Sequence, residues 1–320
     1  MKFRASSVAL FVAVAAVIVF PFTDSAFYTE LLAKAMILAI FALSLDLLVG
    51  YTGLVSFGHA AYFGIGAYAT VLLAPKYDPA SLWVVLPGAV VASGLAALVI
   101  GLFVLRTRGI YFIMVTLAFA QMVYYVFHDT AIGGGSDGIY LNFKPSAALG
   151  AFRPFDLEQA RQQCWFVTAA LLITWWFLAR LLRSPFGRAI VGIRSNEQRM
   201  RALGFATVRY KLAAFTIAGA IAGLAGSLYA ILFGFVTPEL LSWHQSGNVL
   251  LMVILGGIGS FAGSVGGAFA FVAMQEVFSG WTRHWQLLMG GVILAAVLFL
   301  PGGLAALPGR LKRAFGADRG

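Results

Sequence analysis

Leu45-Asp46-Leu47-Leu48-Val49-Gly50-Tyr51-Thr52-Gly53-Leu54-Val55-Ser56-Phe57-Gly58-His59-Ala60 joins two apolar runs, 27–49 and 60–75. About 20 mostly apolar residues suffice for a helix to cross a bilayer. An apolar helix therefore ends in a glycine-rich, hydroxyl-bearing break, and a second apolar helix follows. Irregular backbone at membrane depth is tolerated where it is buried in protein or lines a wet cavity. Its freed amides and carbonyls can then meet a polar solute. On that reading Asp46, Tyr51, Thr52, Gly53, Ser56, Gly58 and His59 are the translocation-pathway candidates. The alternative is a tight turn capped by glycines, and the spacing is compatible with both.

Working outward, further apolar runs lie near 5–22, 81–105, 109–127, 164–182, 212–235, 247–258, 262–278 and 286–300. The composition agrees: 61% of the 320 residues are hydrophobic, only 11% are charged, and the mean hydropathy is +0.90. A soluble domain carries about 25% charged residues to cover its surface, so most of this surface faces something other than water. The expectation is an all-α integral membrane protein of about ten transmembrane helices, forming one polytopic domain over 1–320. A soluble enzyme is excluded. With Cys164 as its one cysteine the chain has no intrachain disulfide, and Cys164 reads as a small apolar residue at a helix start.

The formal charge of +10 raises the question of nucleic acid. The cations sit instead in loops between apolar runs, which is the pattern of topogenic charge. Alternating the spans from an inside N-terminus puts Lys2, Arg4, Arg106, Arg108, Arg310, Lys312, Arg313 and Arg319 on one side. The cluster Arg180, Arg183, Arg188, Arg194, Arg199, Arg201, Arg209 and Lys211 joins them there. Both termini and the loop 183–211 are thus expected in the cytoplasm, and the long loop 128–163 outside. In that outer loop Asp156 and Gln159 have capping-box spacing for an interfacial helix. The run 5–22 has a signal peptide as its rival reading, but it exceeds a typical h-region.

Catalytic motifs are missing. There is no G-x-x-x-x-G-K-[ST] to cradle nucleotide phosphates, and His59, His128, His244 and His284 are scattered without a nucleophile and carboxylate beside them. Transport remains. Among polar residues within the spans (Lys34, Asp46, Gln121, Gln275 and Glu276), Asp46 is the best pathway candidate, since intramembrane charge is functional by default. A second glycine break, Gly256-Gly257-Ile258-Gly259-Ser260-Phe261-Ala262-Gly263, shares a Gly-x-x-Ser-Phe core with Gly53 to Phe57. It reads either as a duplicated element or as close helix packing through small residues. In the basic loop, Ser195 and Gln198 have capping-box spacing and Gly204 suits a C′ position. A short helix between them would present Met200 and Leu203 on one face, an apolar knob suited to a partner's groove. Resting on anionic lipid is the alternative for that loop.

The segments Leu45–Ala60, Arg108–Phe112, Gly134–Ile139, Ser184–Gly204, Ala213–Gly226 and Leu300–Leu304 resemble, in order, the permease subunits of ABC importers for branched-chain amino acids. The segment order and the long outer loop look more like the longer of the two paired permeases. The resemblance implies a second homologous permease, two ATP-binding cassette subunits that use ATP and Mg, and a periplasmic binding protein, in the cell inner membrane. It implies no cofactor in this chain. It also carries an ATPase-coupling role onto Ser195, Glu197, Gln198, Met200, Ala202, Leu203 and Gly204. The E-A-A-x-x-x-G permease signature is only loosely matched, because Glu197 is followed by Gln198 and Arg199. Related permeases carry urea or short amides. An ion-coupled secondary transporter would need midplane carboxylates, which are scarce here, and a scaffold would not need the capped basic loop.

Overall fold

The computed structural model describes residues 25–75, 77–148, 156–300 and 302–306. The expected first helix at 5–22 and the basic residues at both chain ends lie outside them. The first described helix, α1 (Ala26–Asp46), runs on into a π-wound turn, Leu47–Thr52. Nearly every side chain from Ala33 to Val49 is buried. A helix apolar on all sides belongs at the centre of a bundle, and α1 packs against α5, α8, α9 and α10.

The remaining helices are α2 (His59–Leu73), α3 (Leu82–Val104), α4 (Ile110–Asp129), α5 (Ala160–Arg183), α6 (Pro185–Ser195), α7 (Glu197–Ala202), α8 (Thr207–Phe233), α9 (Trp243–Gly256), α10 (Phe261–Trp281) and α11 (Trp285–Phe299). The second central helix is α8. Its Gly219, Gly223 and Gly226 lie so close to Ala97, Ser93 and the Phe63 carbonyl that a Cβ at any of them would collide. Small residues let transmembrane helices approach backbone to backbone, and this stripe seats α2 and α3 on α8.

Each of the nine apolar runs in the described residues forms a helix, but they differ in whether length and composition alone suit a membrane crossing. Six are long and apolar enough: α1 with its π-turn, α3, α4, α5, α8 and α10. The helices α2, α9 and α11 have 15, 14 and 15 residues, roughly 22 Å at 1.5 Å per residue, against a hydrocarbon core of about 30 Å. Two of the short ones begin inside the protein. Gly58, just before α2, abuts the Thr116 backbone two turns into α4, while the segment before α9 brings Leu241 against Gly64. The Ala60 amide then donates to Ser246 Oγ at 3.0 Å, so the starts of α2 and α9 meet in the interior.

At the end opposite the arginine cluster, β1 (Ile139–Tyr140) pairs antiparallel with β2 (Phe235–Val236). The capping box read at Asp156 and Gln159 does not start a helix there. Asp156 Oδ1 instead accepts from the Glu158 amide at 3.0 Å, the Asp156 amide donates to Gln162 Oε1 at 2.6 Å, and α5 begins at Ala160. Cys164 is fully buried near the start of α5.

Candidate functional site

The two glycine breaks, far apart in sequence, touch. Asp46 Oδ1 accepts the Gly259 amide at 2.8 Å, and the Tyr51 hydroxyl donates to the Gly259 carbonyl at 2.9 Å. Gly50 lies flat against the same residue: a Cβ on it would sit 2.6 Å from the Gly259 nitrogen. Gly259 itself has φ +83°, which only glycine adopts without strain. Within the first break the backbone is wound as a π-turn, a geometry frequent at functional sites. The Leu48 carbonyl collects the amides of Gly53 and Leu54 and the Thr52 hydroxyl, the last two at 3.0 and 2.6 Å.

Of the pathway candidates, Asp46, Thr52, Ser56, Gly58 and His59 are buried within the subunit, Tyr51 is half-buried, and only Gly53 is exposed. Within the subunit most of this break is packed by protein rather than open. The freed backbone groups are satisfied by protein. The Phe57 amide donates to Thr116 Oγ1 at 3.2 Å, and the Gly58 amide to Ser56 Oγ at 3.2 Å. His59 Nε2 pairs with Ser44 Oγ at 2.8 Å, and its ring stacks on Phe41. At the second break the close-packing reading holds: Gly256, Gly263 and Gly267 bring α9 and α10 into backbone contact.

The basic loop folds as a hairpin of α6 and α7. Ser184 caps α6, accepting the Gly187 amide at 3.3 Å, with Pro185 at the first helical position where its missing N–H costs nothing. Ser195 is not the cap of α7. It is the last residue of α6 and donates to the Val191 carbonyl, while Asn196 Oδ1 caps α7 through the Arg199 amide at 2.9 Å. Gly204 ends α7 as read, with φ +85° and with Gly204 and Phe205 amides bonded to the Arg201 and Met200 carbonyls, a Schellman closure.

Glu197 braces this hairpin onto α8. Its carboxylate accepts from Arg201 at 2.6 Å, Thr207 Oγ1 at 3.2 Å and Lys211 at 2.7 Å. Partial burial pushes its pKa up, but the bonds to Lys211, Arg201 and Thr207 outweigh this and hold it down at about 2. Met200 does not stand beside Leu203 as a knob. It is half-buried, and a Cβ on Gly192 of α6 would meet its sulfur at 3.0 Å. Leu203 is 67% exposed, and Ser195, Gln198, Ala202 and Gly204 are exposed around it.

One residue escaped the sequence reading. Arg194, in the last turn of α6, donates through Nη1 to the Gly50 carbonyl, and its stem lies over Gly53. In sequence it was one topogenic cation among many, with no local signal to set it apart. Gln121 lies on an open, largely apolar face of α4 among Ala118, Met122, Tyr125, Val126 and Thr130.

The helical bundle with its basic hairpin tied to the helix breaks matches transport permease subunits rather than enzymes. The chain belongs to the family described as branched-chain amino acid transport system / permease component, whose model matches residues 27–298. It is 33% identical over 306 residues to the high-affinity branched-chain amino acid transport system permease protein LivM of Salmonella typhimurium, covering 90% of this chain and 72% of that one. To LivM of Escherichia coli it is 33% identical over 323 residues, 95% of this chain and 76% of the relative. The autoinducer 2 import system permease protein LsrC of Klebsiella pneumoniae is 32% identical over 165 residues, 48% of this chain and 46% of that one. No solved structure matches the chain significantly.

Proposed function

We propose that this chain forms one half of the translocation pathway of an ATP-driven importer for leucine, isoleucine and valine. It works with a second homologous permease, two ATP-binding cassette subunits and a periplasmic substrate-binding protein. The arginine-rich end and both termini face the cytoplasm, in the inner membrane, as the positive-inside bias supports. The names of the full-length relatives support the substrate class.

The observation that carries the reading is the α6–α7 hairpin. The chain has no phosphate-binding loop of its own, so ATP-driven work must enter through a contact. The hairpin is capped at both helices, braced by Glu197, and offers the exposed Leu203 at the end of α7. The pathway is assigned to the break at Tyr51–His59 with Asp46 beside it, a reading supported by irregular backbone and polar side chains held inside the bundle.

Leu203→Asp tests the docking role. Burying one such side chain contributes about 1.5–3 kcal/mol, so ATPase co-purification and uptake of radiolabelled leucine should both collapse while membrane abundance stays normal. Normal uptake in this variant, or a larger loss on replacing Arg199 and Arg201 by Gln, would assign the hairpin to lipid contact instead. Uptake competed by urea or acetamide but not by isoleucine would move the substrate to short amides.

A further inference from the structure

The π-turn at Leu47–Thr52 is held from two sides. On one, Asp46 and Tyr51 fasten it to Gly259, at 2.8 and 2.9 Å. On the other, the Gly50 carbonyl, in the last turn before the helix ends at Thr52, is taken by Arg194 of the hairpin. Gly53, which closes the turn with φ +74°, lies beneath the Arg194 stem, where a Cβ would come 3.2 Å from Arg194 Cγ. The same guanidinium sits beside Gly259, 3.7 Å from where a Cβ on that residue would be. One side chain thus bonds the first break, stands beside the second and belongs to the element that offers itself to the ATPases.

We propose that Arg194 is the positioning residue that links the hairpin to the two breaks. Bound to the Gly50 carbonyl, it keeps 47–52 in the π-wound form. When the hairpin shifts, the carbonyl is released and the segment rewinds to α register. Removing one residue from a turn rotates everything beyond it by roughly 100°, which carries Tyr51 off the Gly259 carbonyl and parts the breaks. Two discrete windings of one segment give the two-state element that coupling between distant sites requires. A second acceptor for the released guanidinium is already in place: Asp46 Oδ2 is buried and makes no hydrogen bond among the described residues. A guanidinium–carboxylate bond is charge-assisted and stronger than one to a carbonyl, so the released state is stabilised as well. The link rests on the importer reading above.

The test uses the full complex in lipid nanodiscs and proteoliposomes, in a Cys164→Ala background with Leu54→Cys as reporter. Thiol labelling of position 54 is followed with and without ATP and vanadate, alongside ATP hydrolysis and leucine uptake. With Arg194 present, nucleotide should change the labelling rate about ten-fold, within the usual span for coupled sites. Arg194→Gln should assemble and hydrolyse ATP normally, yet lose the nucleotide-dependent labelling change and about ten-fold in uptake per ATP. Arg194→Lys, which keeps a donor, should restore most of both. An intact labelling change and normal uptake per ATP in Arg194→Gln would overturn the proposal. So would failure of both variants to assemble, which would make Arg194 a brace only. If the unaltered complex hydrolyses ATP but imports no leucine, the substrate reading falls, and the labelling result alone decides the link.

Discussion

The two glycine breaks share a Gly-x-x-Ser-Phe core, yet they start the helix that follows in opposite ways. Ser260 caps the helix that follows it, accepting the Gly263 amide at 3.2 Å. Ser56 has the corresponding place and does not cap α2. It is fully buried and turned to the Gly58 amide, and α2 has no side-chain cap of its own. Its leading amides go to Thr116 and Ser246, which are 59 and 186 residues away from their donors. The helix after the second break starts on a local cap, whereas the helix after the first starts on partners from α4 and α9. A helix start satisfied through tertiary partners moves when those partners move, which suits an element meant to change shape.

The sharpest way to break this contrast is at the contact between the breaks. Gly50→Val inserts two methyl groups where even a Cβ overlaps Asp46 and the Gly259 backbone. Overpacking a close contact typically costs about 1–3 kcal/mol, occasionally more, and backbone atoms on both sides cannot step aside. The expected outcome is loss of most folded protein in detergent, read by gel-filtration profile and thermal melting. A variant that melts like the parent would mean that the breaks do not need each other.

The next test separates long-range from local satisfaction. Ser246→Ala leaves the buried Ala60 amide without its acceptor, a penalty of about 1–3 kcal/mol. Ser260→Ala removes an ordinary N-cap, about 1 kcal/mol. Thermal melting should therefore fall further in Ser246→Ala. Hydrogen exchange should rise across 57–64 in that variant, and only at 261–264 in the other. Equal effects would erase the distinction.

How much of this was legible follows the same division. The nine apolar runs became helices because length and composition act locally, and Gly204 was readable because a left-handed C′ residue is a local demand. The cap of α7 was misread by one residue: Ser195 and Asn196 are both competent caps, and the choice is made by how far α6 extends. The burial of Ser56 and His59 was not legible, because it depends on Ser44, Thr116 and Ser246 arriving from other helices. Arg194 was hidden for the same reason, since its acceptor lies 144 residues away.

The smallest expected effect sharpens the comparison from the hairpin side. Glu197 holds the hairpin on α8 with its carboxyl near 2, below its ordinary 4.5. A depressed carboxyl adds stability that is fully present above the ordinary value and is lost as pH falls toward the native one. The brace should therefore be intact from neutral pH down to about 4.5 and weaken between there and about 2. Because the brace is partly exposed, the change should be modest. Amide exchange at 197–205, corrected for its intrinsic pH dependence, should rise over that window, and Glu197→Gln should show the raised exchange already at neutral pH. Among the described residues only the first break is tied by a hydrogen bond to the hairpin, so the loosening should spread to 53–58 and spare 261–264. Exchange rising equally at both breaks would show that acid acts on the bundle as a whole rather than through the hairpin.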